Sequence, residues 1–166
     1  KGYAGFETEI KESILRANGS ESRSKSKFST SSNNNIQFLG EISDKYKDEL
    51  MRGAKAFIFA SQDEDFGIVP VEAMMAGTPV IAHHSGGPME TIIDPSTASS
   101  KGGQAGQAAT GLFFDEFTVE SLNSAIKKFE RTKFDSREIA KHAQKFSRAR
   151  FEKEIKEFVN KVVLSS

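Results

Sequence analysis

Short apolar runs alternate with amphipathic stretches along the chain, and the runs have the length of β-strands. Residues 56–60, "AFIFA", and 79–82, "PVIA", are continuous apolar segments, which is typical of strands in a parallel sheet covered on both faces. Alternating apolar positions predict a further strand over 36–42, and "GLFF" at 111–114 predicts the last one. The chain is therefore expected to contain several short strands.

Helices are predicted between and after these strands. Ser43 is placed to cap a helix over 44–54, with Asp44 in its first turn, where the helix dipole favours a negative charge. Pro70 is expected to open a short helix that Gly77 closes. The other predicted helices are 7–17, a short one within 86–93, 118–131, 135–145 and 147–163.

The alternation of strands with helices predicts an α/β fold: a Rossmann-like parallel sheet with helices on both faces, and a C-terminal helical tail over 118–163. Segments 19–35 and 95–110 have a low-complexity, largely polar or small-residue composition. Such segments bury too little apolar surface to offset their chain entropy, so both are predicted to be flexible loops. The 166 residues suit one domain, or one half of a larger two-domain enzyme.

The last predicted helix carries an apolar stripe formed by Phe151, Ile155, Phe158 and Val162. Residues at this spacing share one face of a helix. We interpret the stripe as a packing face rather than a membrane anchor.

Composition excludes several classes of function. The 23 basic and 23 acidic residues cancel, so no net positive field favours nucleic acid as a partner. The chain has no cysteine, which excludes disulfides, thiolate metal sites and a cysteine nucleophile, and is compatible with a reducing cytoplasm. No apolar run approaches the roughly 18 residues that span a bilayer, and no signal peptide is visible.

The histidines do not indicate a metal site. His83 and His84 are adjacent on a predicted strand, so their side chains point to opposite faces and do not readily share one ion. The sequence offers no convincing third ligand, and we predict no bound metal. His142, in the helical tail, is interpreted as a surface or packing residue.

The chemistry concentrates in "EDFGIVPVE", residues 64–72, which follows the apolar run 56–60. In parallel α/β sheets, ligands bind beyond the carboxyl ends of the strands, where loops lead into helices. Gly67 lets the backbone approach a ligand closely. The amides around Ile68, Val71 and Glu72 are expected at a helix start, where free N–H groups and the dipole favour a phosphate.

Two carboxylates, Glu64 and Glu72, flank this predicted phosphate site. They would repel a phosphate unless each accepts hydrogen bonds from hydroxyl groups of the same ligand, and a nucleotide sugar has hydroxyls on both sides of its diphosphate. One alternative is that Glu72 merely favours its own helix N-terminus. Another is a glycoside-hydrolase carboxylate pair. It fits poorly, because helix-start amides favour the ionised form of Glu72 and leave no obvious proton donor.

The wider stretch resembles a known family. Glu64 and Glu72, separated by seven residues, are followed by "AMMAGTPVIA", "GG", Glu90 and the downstream "TGLFF". Over roughly 36–163 this is similar to the retaining family 4 glycosyltransferases of the GT-B fold, and to their C-terminal, donor-binding half. "EDFGIVPVEA", "GLFFDEFTVESL" and "FSRARFEKEI" most resemble the mannosyltransferases that use GDP-mannose to build bacterial surface polysaccharide.

The resemblance implies a role for each matching position. Glu64 takes the catalytic position, in contact with hydroxyls of the donor sugar, and Glu72 holds the ribose hydroxyls. Backbone contacts to the sugar and the diphosphate are implied for Phe66, Gly67, Ile68 and Val69. The remaining donor-binding positions are Glu41 and Ile42 beside the base, and Gly86, Gly87 and Glu90 in the cleft.

The resemblance also implies the donor and the acceptor of the reaction. The nucleotide sugar is a substrate, with GDP-mannose favoured and a UDP-sugar the alternative, and neither a cofactor nor a metal is implied. The acceptor, a glycan or a lipid-linked glycan, would bind an N-terminal domain that this chain lacks.

We expect sequence upstream of Lys1, including the Arg and Lys that bind the diphosphate in the family. Without its N-terminal domain the chain is expected to be inactive. The expected location is the cytoplasm, with peripheral membrane contact through the missing half. The alternatives are a non-catalytic nucleotide- or partner-binding module, and half of a GT-B phosphorylase or epimerase.

Overall fold

The computed structural model describes residues 39–96 and 108–164. The predicted helix 7–17, the predicted loop 19–35 and most of the predicted loop 95–110 lie outside the described residues. The predicted strand 36–42 is described only from residue 39 onward, and residues 39–42 are not in a strand. Residues Glu41–Ser166 form a compact unit of their own, whose architecture is given below.

Three short parallel strands form the sheet of the described chain, in the order β1-β2-β3. The central strand pairs Val80 with Phe57 on one side and with Gly111 on the other. The strands are β1 (Phe57–Phe59), β2 (Val80–His83) and β3 (Gly111–Phe114). Each lies within one residue of a run predicted from the sequence.

Three of the described helices begin where the sequence places capping residues. The side chains of Ser43, Thr118 and Asp135 each accept hydrogen bonds from backbone N–H groups of the first helical turn. The helices are α1 (Asp44–Gly53), α2 (Ile68–Met75), α3 (Pro88–Thr91), α4 (Val119–Phe129), α5 (Ser136–Ala143) and α6 (Arg148–Leu164), with a 3₁₀ turn at Gln144–Phe146.

The core lies on both faces of the sheet, because successive side chains of β2 point in opposite directions. Val80 and Ala82 pack on one face with buried residues of α2 and α5. Ile81 packs on the other face with Phe114 of β3 and Ala125 of α4. The predicted Rossmann-like arrangement, with helices on both faces of a parallel sheet, is therefore present.

The edge strand β1 departs from the sequence-based expectation. Phe57 and Phe59 pack against the core beside α2, but Ile58 points to the other face and is 47% exposed. A run with no polar residue predicts a strand covered on both sides. For β1 that prediction is wrong within the described chain, because β1 lies at the edge of the sheet and α4 packs on the opposite strand, β3.

Helix α6 also differs from expectation. No residue of α6 is buried by the described chain, and Phe151 and Phe158 are 64% and 63% exposed. The predicted packing face is therefore largely exposed in the part of the chain that the structure describes. No helix in residues 39–96 or 108–164 is long and apolar enough to cross a membrane.

Candidate functional site

Helix α2 begins two residues earlier than its proline predicts. Gly67 adopts a left-handed conformation, with φ 77°, that is readily available only to glycine. This turn places Ile68 and Val69 in the first helical positions and Pro70 third. Proline is tolerated there because the first N–H groups of a helix have no intrahelical partner.

The earlier start narrows the set of amides available to a ligand. The amide of Val71 donates to the carbonyl oxygen of Gly67 at 3.4 Å, and Glu72 lies beyond the first turn. The expectation of free amides at Val71 and Glu72 is therefore wrong. Ile68 and Val69 provide the unpaired amides at this helix start, which is the end that favours an anion.

The loop before α3 is locked against the loop before α2. The amide of Gly87 donates to the carbonyl oxygen of Glu64 at 2.7 Å. A Cβ on Gly87 would lie 2.3 Å from the Cα of Phe66, and one on Gly86 would lie 2.3 Å from the carbonyl oxygen of Glu64. Both glycines thus allow backbone to pack directly on backbone, and the two loops form one rigid corner at the carboxyl ends of β1 and β2.

The Glu64 carboxylate is left free by this arrangement. Its backbone is fixed by Gly87, and the preceding Asp63 has a positive φ of 55°, which is uncommon for a residue other than glycine. The side chain is half-buried and makes no hydrogen bond or ion pair to any described residue. Glu90 is exposed in the first turn of α3.

The Glu72 carboxylate has a partner that the sequence did not indicate. Its Oε2 accepts a hydrogen bond from Nζ of Lys47 at 3.0 Å, and Lys47 also lies 3.4 Å from Oδ1 of Asp44. The hydrogen bond to Glu72 is the main cause of a raised pKa at Lys47. Lys47 lies on α1, which follows the predicted base-contacting residues Glu41 and Ile42.

An apolar groove with an open volume of about 590 Å³ adjoins the corner. Phe66 and Ile68 line it from the site, and Phe66 packs edge-on against Phe146 with ring centroids 6.1 Å apart. Glu72 and Arg150 also contribute to its walls. The groove thus connects the start of α2 with the start of α6.

The three histidines have separate environments. His84 donates from Nδ1 to Oδ1 of Asp115 at 2.8 Å, whereas Nδ1 of His83 lies 2.8 Å from the Ser85 hydroxyl. Within the described segments, no three His, Asp or Glu side chains are grouped as metal ligands. His142 is half-buried, and its Nε2 donates to the carbonyl oxygen of Thr91 at 2.8 Å. Burial lowers the pKa of His142.

Comparison with known families identifies the family of the chain. Residues 16–149 match the family model described as "Glycosyl transferases group 1". The chain belongs to the group 1 glycosyl transferases. The resemblance drawn from the motif between Glu64 and Glu90 is thereby confirmed.

The relatives similar to this chain include three proteins named Alpha-1,3/1,6-mannosyltransferase, with the suffix alg-2, alg2 or ALG2. The Schizosaccharomyces pombe protein is 33% identical over 103 residues, which cover 58% of this chain and 20% of the relative. The Neurospora crassa protein is 40% identical over 72 residues, or 43% and 15%. The Candida albicans protein is 34% identical over 115 residues, or 59% and 26%. The chain therefore matches about a quarter or less of the length of these relatives.

A solved structure shows the same fold. Sucrose-phosphate synthase from Thermosynechococcus elongatus superposes with a TM-score of 0.69 at 21% sequence identity, over 96% of this chain and 35% of that protein. The Rossmann-like α/β fold predicted from the sequence is confirmed by this similarity.

Proposed function

We propose that this group 1 glycosyl transferase chain is the donor-binding domain of a retaining glycosyltransferase that transfers mannose from a nucleotide sugar. GDP-mannose is the favoured donor and a UDP-sugar the alternative. The observation that carries the proposal is the corner at the carboxyl ends of β1 and β2. There a free carboxylate at Glu64, the helix-start amides of Ile68 and Val69, and the carboxylate of Glu72 follow one another along 64–72.

Each part of the corner has a proposed role in holding the donor. The amides of Ile68 and Val69 and the dipole of α2 attract the diphosphate. Glu72 accepts hydrogen bonds from the ribose hydroxyls, and Glu64 accepts them from hydroxyls of the transferred sugar. These contacts hold the anomeric carbon in the geometry in which an acceptor attacks it, which is the main contribution of positioning to catalysis.

The acceptor is proposed to be a glycan or a lipid-linked glycan, bound mainly by a second domain. The chain matches 15 to 26% of the three mannosyltransferases compared above, which supports an acceptor site outside the described corner. Cytoplasmic placement, with contact at the inner face of a membrane through that second domain, is part of the same proposal. No cofactor is invoked, because the nucleotide sugar is itself the substrate.

The donor assignment is tested by titrating the protein with GDP-mannose and with UDP-sugars by calorimetry. We expect Glu72→Ala to weaken binding of the preferred donor roughly 10- to 100-fold, since a hydrogen bond to a charged group contributes about 1.5 to 3 kcal/mol. Glu130→Ala is the matched control, because Glu130 is exposed beyond the end of α4. Equal donor affinity in wild type and Glu72→Ala would remove the ribose contact from the proposal.

Glu64→Ala is expected to behave differently from Glu72→Ala. It should leave the affinity for GDP nearly unchanged, because GDP lacks the transferred sugar. In the intact enzyme, which includes the proposed second domain, it should lower turnover with donor and acceptor. Product analysis with a labelled donor tests the reaction itself. A transferred sugar that keeps its anomeric configuration supports a retaining transferase, whereas release of sugar phosphate or of an epimer indicates one of the alternative enzymes.

A further inference from the structure

Lys47 lies outside the loops that form the proposed donor corner, yet its ammonium group reaches into it. Nζ donates to Oε2 of Glu72 at 3.0 Å, across 25 residues of sequence. The side chains of both partners are partly buried, 30% and 36% exposed, whereas Asp44, which also contacts Lys47, is 99% exposed. The Lys47–Glu72 contact therefore joins two elements at the site, and Asp44 lies at its solvent side.

The contact leaves half of the Glu72 carboxylate available. Lys47 bonds Oε2, and Oε1 of Glu72 has no partner among the described residues. A carboxylate can accept hydrogen bonds at both oxygens. A glutamate held at one oxygen has lost rotamer freedom before the ligand arrives, so less entropy is lost when the other oxygen accepts a hydroxyl.

The charge of Lys47 addresses a second difficulty of the corner. Glu64 and Glu72 flank amides that are proposed to bind a diphosphate, and neighbouring charges of the same sign repel. The positive charge of Lys47 beside Glu72 offsets part of this repulsion, and it does so without taking the place of the amides that are proposed to bind the phosphates. An ion pair at a surface contributes little to stability by itself, so the contact is better explained by what it does to Glu72.

We propose that Lys47 is a positioning residue that acts through Glu72 and sets the preference of the site for nucleotides carrying ribose hydroxyls. This inference rests on the proposed function, in which Glu72 binds the ribose. Lys47 would thus determine the specificity for the ribose of the nucleotide, although it acts through Glu72 and at a distance from the nucleotide. A lysine that lies outside the 64–90 motif thereby has a role in the site.

Affinities for GDP and for 2′,3′-dideoxy-GDP, measured by calorimetry on the protein, test the proposal. Wild type is expected to bind GDP more tightly, because only GDP has the two hydroxyls. Lys47→Met should weaken GDP binding about three- to tenfold, the range of one hydrogen bond of ordinary strength, and leave dideoxy-GDP binding nearly unchanged. The ratio of the two dissociation constants therefore falls towards one.

Two matched variants separate this effect from a general one. Lys47→Arg keeps a charged donor and should retain most of the wild-type ratio. Asp44→Asn removes the other carboxylate near Lys47 and should leave the ratio unchanged. Thermal melting reports whether each variant is folded, and Lys47→Gln gives a second neutral variant if Lys47→Met is not.

The outcomes distinguish this inference from the proposed function. If Glu72→Gln loses the ratio while Lys47→Met and Lys47→Gln keep it, the positioning role is overturned and the ribose contact stands. If Lys47→Met weakens both nucleotides equally, the lysine acts through general electrostatics or structure, and the proposal is likewise overturned. If Glu72→Gln keeps the wild-type ratio, the proposed ribose contact is removed and this inference with it. If wild type binds neither guanosine nucleotide, the donor is the alternative UDP-sugar, and UDP with 2′,3′-dideoxy-UDP decides the same ratio.

Discussion

At the scale of single residues, glycines determine how the site is built. Gly67 supplies a left-handed turn that starts α2, and Gly87 allows the two loops to pack backbone to backbone. These are different uses of the same residue: the first needs conformational freedom and the second needs the absence of a side chain. Substitutions at Gly67 and Gly87 should therefore destabilise the site for different reasons: backbone strain at Gly67 and a steric clash at Gly87.

Gly87→Ala tests the packing of the corner. Its Cβ would lie 2.3 Å from the backbone of Phe66, so the loop before α2 must shift. We expect a loss of about 1 to 3 kcal/mol in the free energy of unfolding, the usual range for overpacking, together with weaker nucleotide binding. Denaturant titration and calorimetry measure the two effects.

Gly53→Ala is the control for Gly87→Ala. A Cβ there would meet nothing within 4 Å, at the last residue of α1. This change should be neutral or slightly stabilising, because alanine is a better helix former than glycine. Equal effects of the two substitutions would contradict the close contact at Gly87.

His142 makes the stability of the protein depend on pH. Burial lowers the pKa of His142 from its ordinary value of 6.5, and the neutral ring still donates from Nε2 to the Thr91 carbonyl oxygen. The unfolded chain then binds a proton at this residue more readily than the folded chain does. The free energy of unfolding should therefore fall as pH decreases below about 6.5, until His142 is protonated in the folded protein as well.

The comparison with His142→Gln isolates this residue from His83 and His84. Glutamine keeps an N–H donor for Thr91 but does not titrate. Urea titrations at about pH 7.5 and about pH 5 lie on either side of the ordinary pKa of histidine. Between these two values His142→Gln should lose less stability than wild type. Parallel pH profiles of the two proteins would show that His142 contributes nothing to acid sensitivity.

At the scale of elements, one buried carboxylate joins three parts of the fold. Asp94, 2% exposed, follows α3 and accepts hydrogen bonds from the Phe113 amide of β3 at 2.8 Å and from the Ser96 hydroxyl at 2.6 Å. Lys128 of α4 lies 3.6 Å from its Oδ1. The end of the α3 segment is thereby fixed to the strand and the helix that follow it.

Asp94→Ala should destabilise the protein strongly. It leaves the Phe113 amide without its acceptor and removes the carboxylate beside Lys128, which is 43% exposed and also bonds Ser96 Oγ. We expect a loss of about 3 kcal/mol, the upper end of the range for losing a hydrogen bond to a charged group. Chemical denaturation measures the change. Ser96→Ala keeps the Asp94 carboxylate and should lose about 1 kcal/mol; an equal loss in both variants would contradict the central role of Asp94.

Local signals in the sequence predicted most elements, because they depend on neighbouring residues. Ser43, Thr118 and Asp135 cap the helices that were predicted to follow them. The predicted start of α2 is two residues too late because two local signals compete there. Pro70 indicates a start at residue 70, but the left-handed turn at Gly67 starts the helix at Ile68. The prediction of free amides at Val71 and Glu72 is wrong for the same reason, because the earlier start of α2 places both residues beyond its unpaired amides.

At the scale of the whole molecule, features that depend on which elements become neighbours could not be predicted. The exposure of Ile58 depends on strand order, and the pairing of Lys47 with Glu72 depends on how α1 lies against α2. The family assignment succeeded because the 64–90 motif is local. The roles of Glu64, Glu72 and the other predicted contact residues stay predictions until donor binding is measured.

The corner has a further consequence for how the protein folds. The contact between Lys47 and Glu72 spans 25 residues, whereas His142 reaches Thr91 across 51. Closing a loop becomes less favourable with length, though only by about 0.6 kcal/mol per doubling. Topology of this kind favours rapid formation of local contacts. The contacts that close the donor corner thus have the shorter sequence separation, whereas α5 adds the longer-range contact through His142 and packs in the core beside α2.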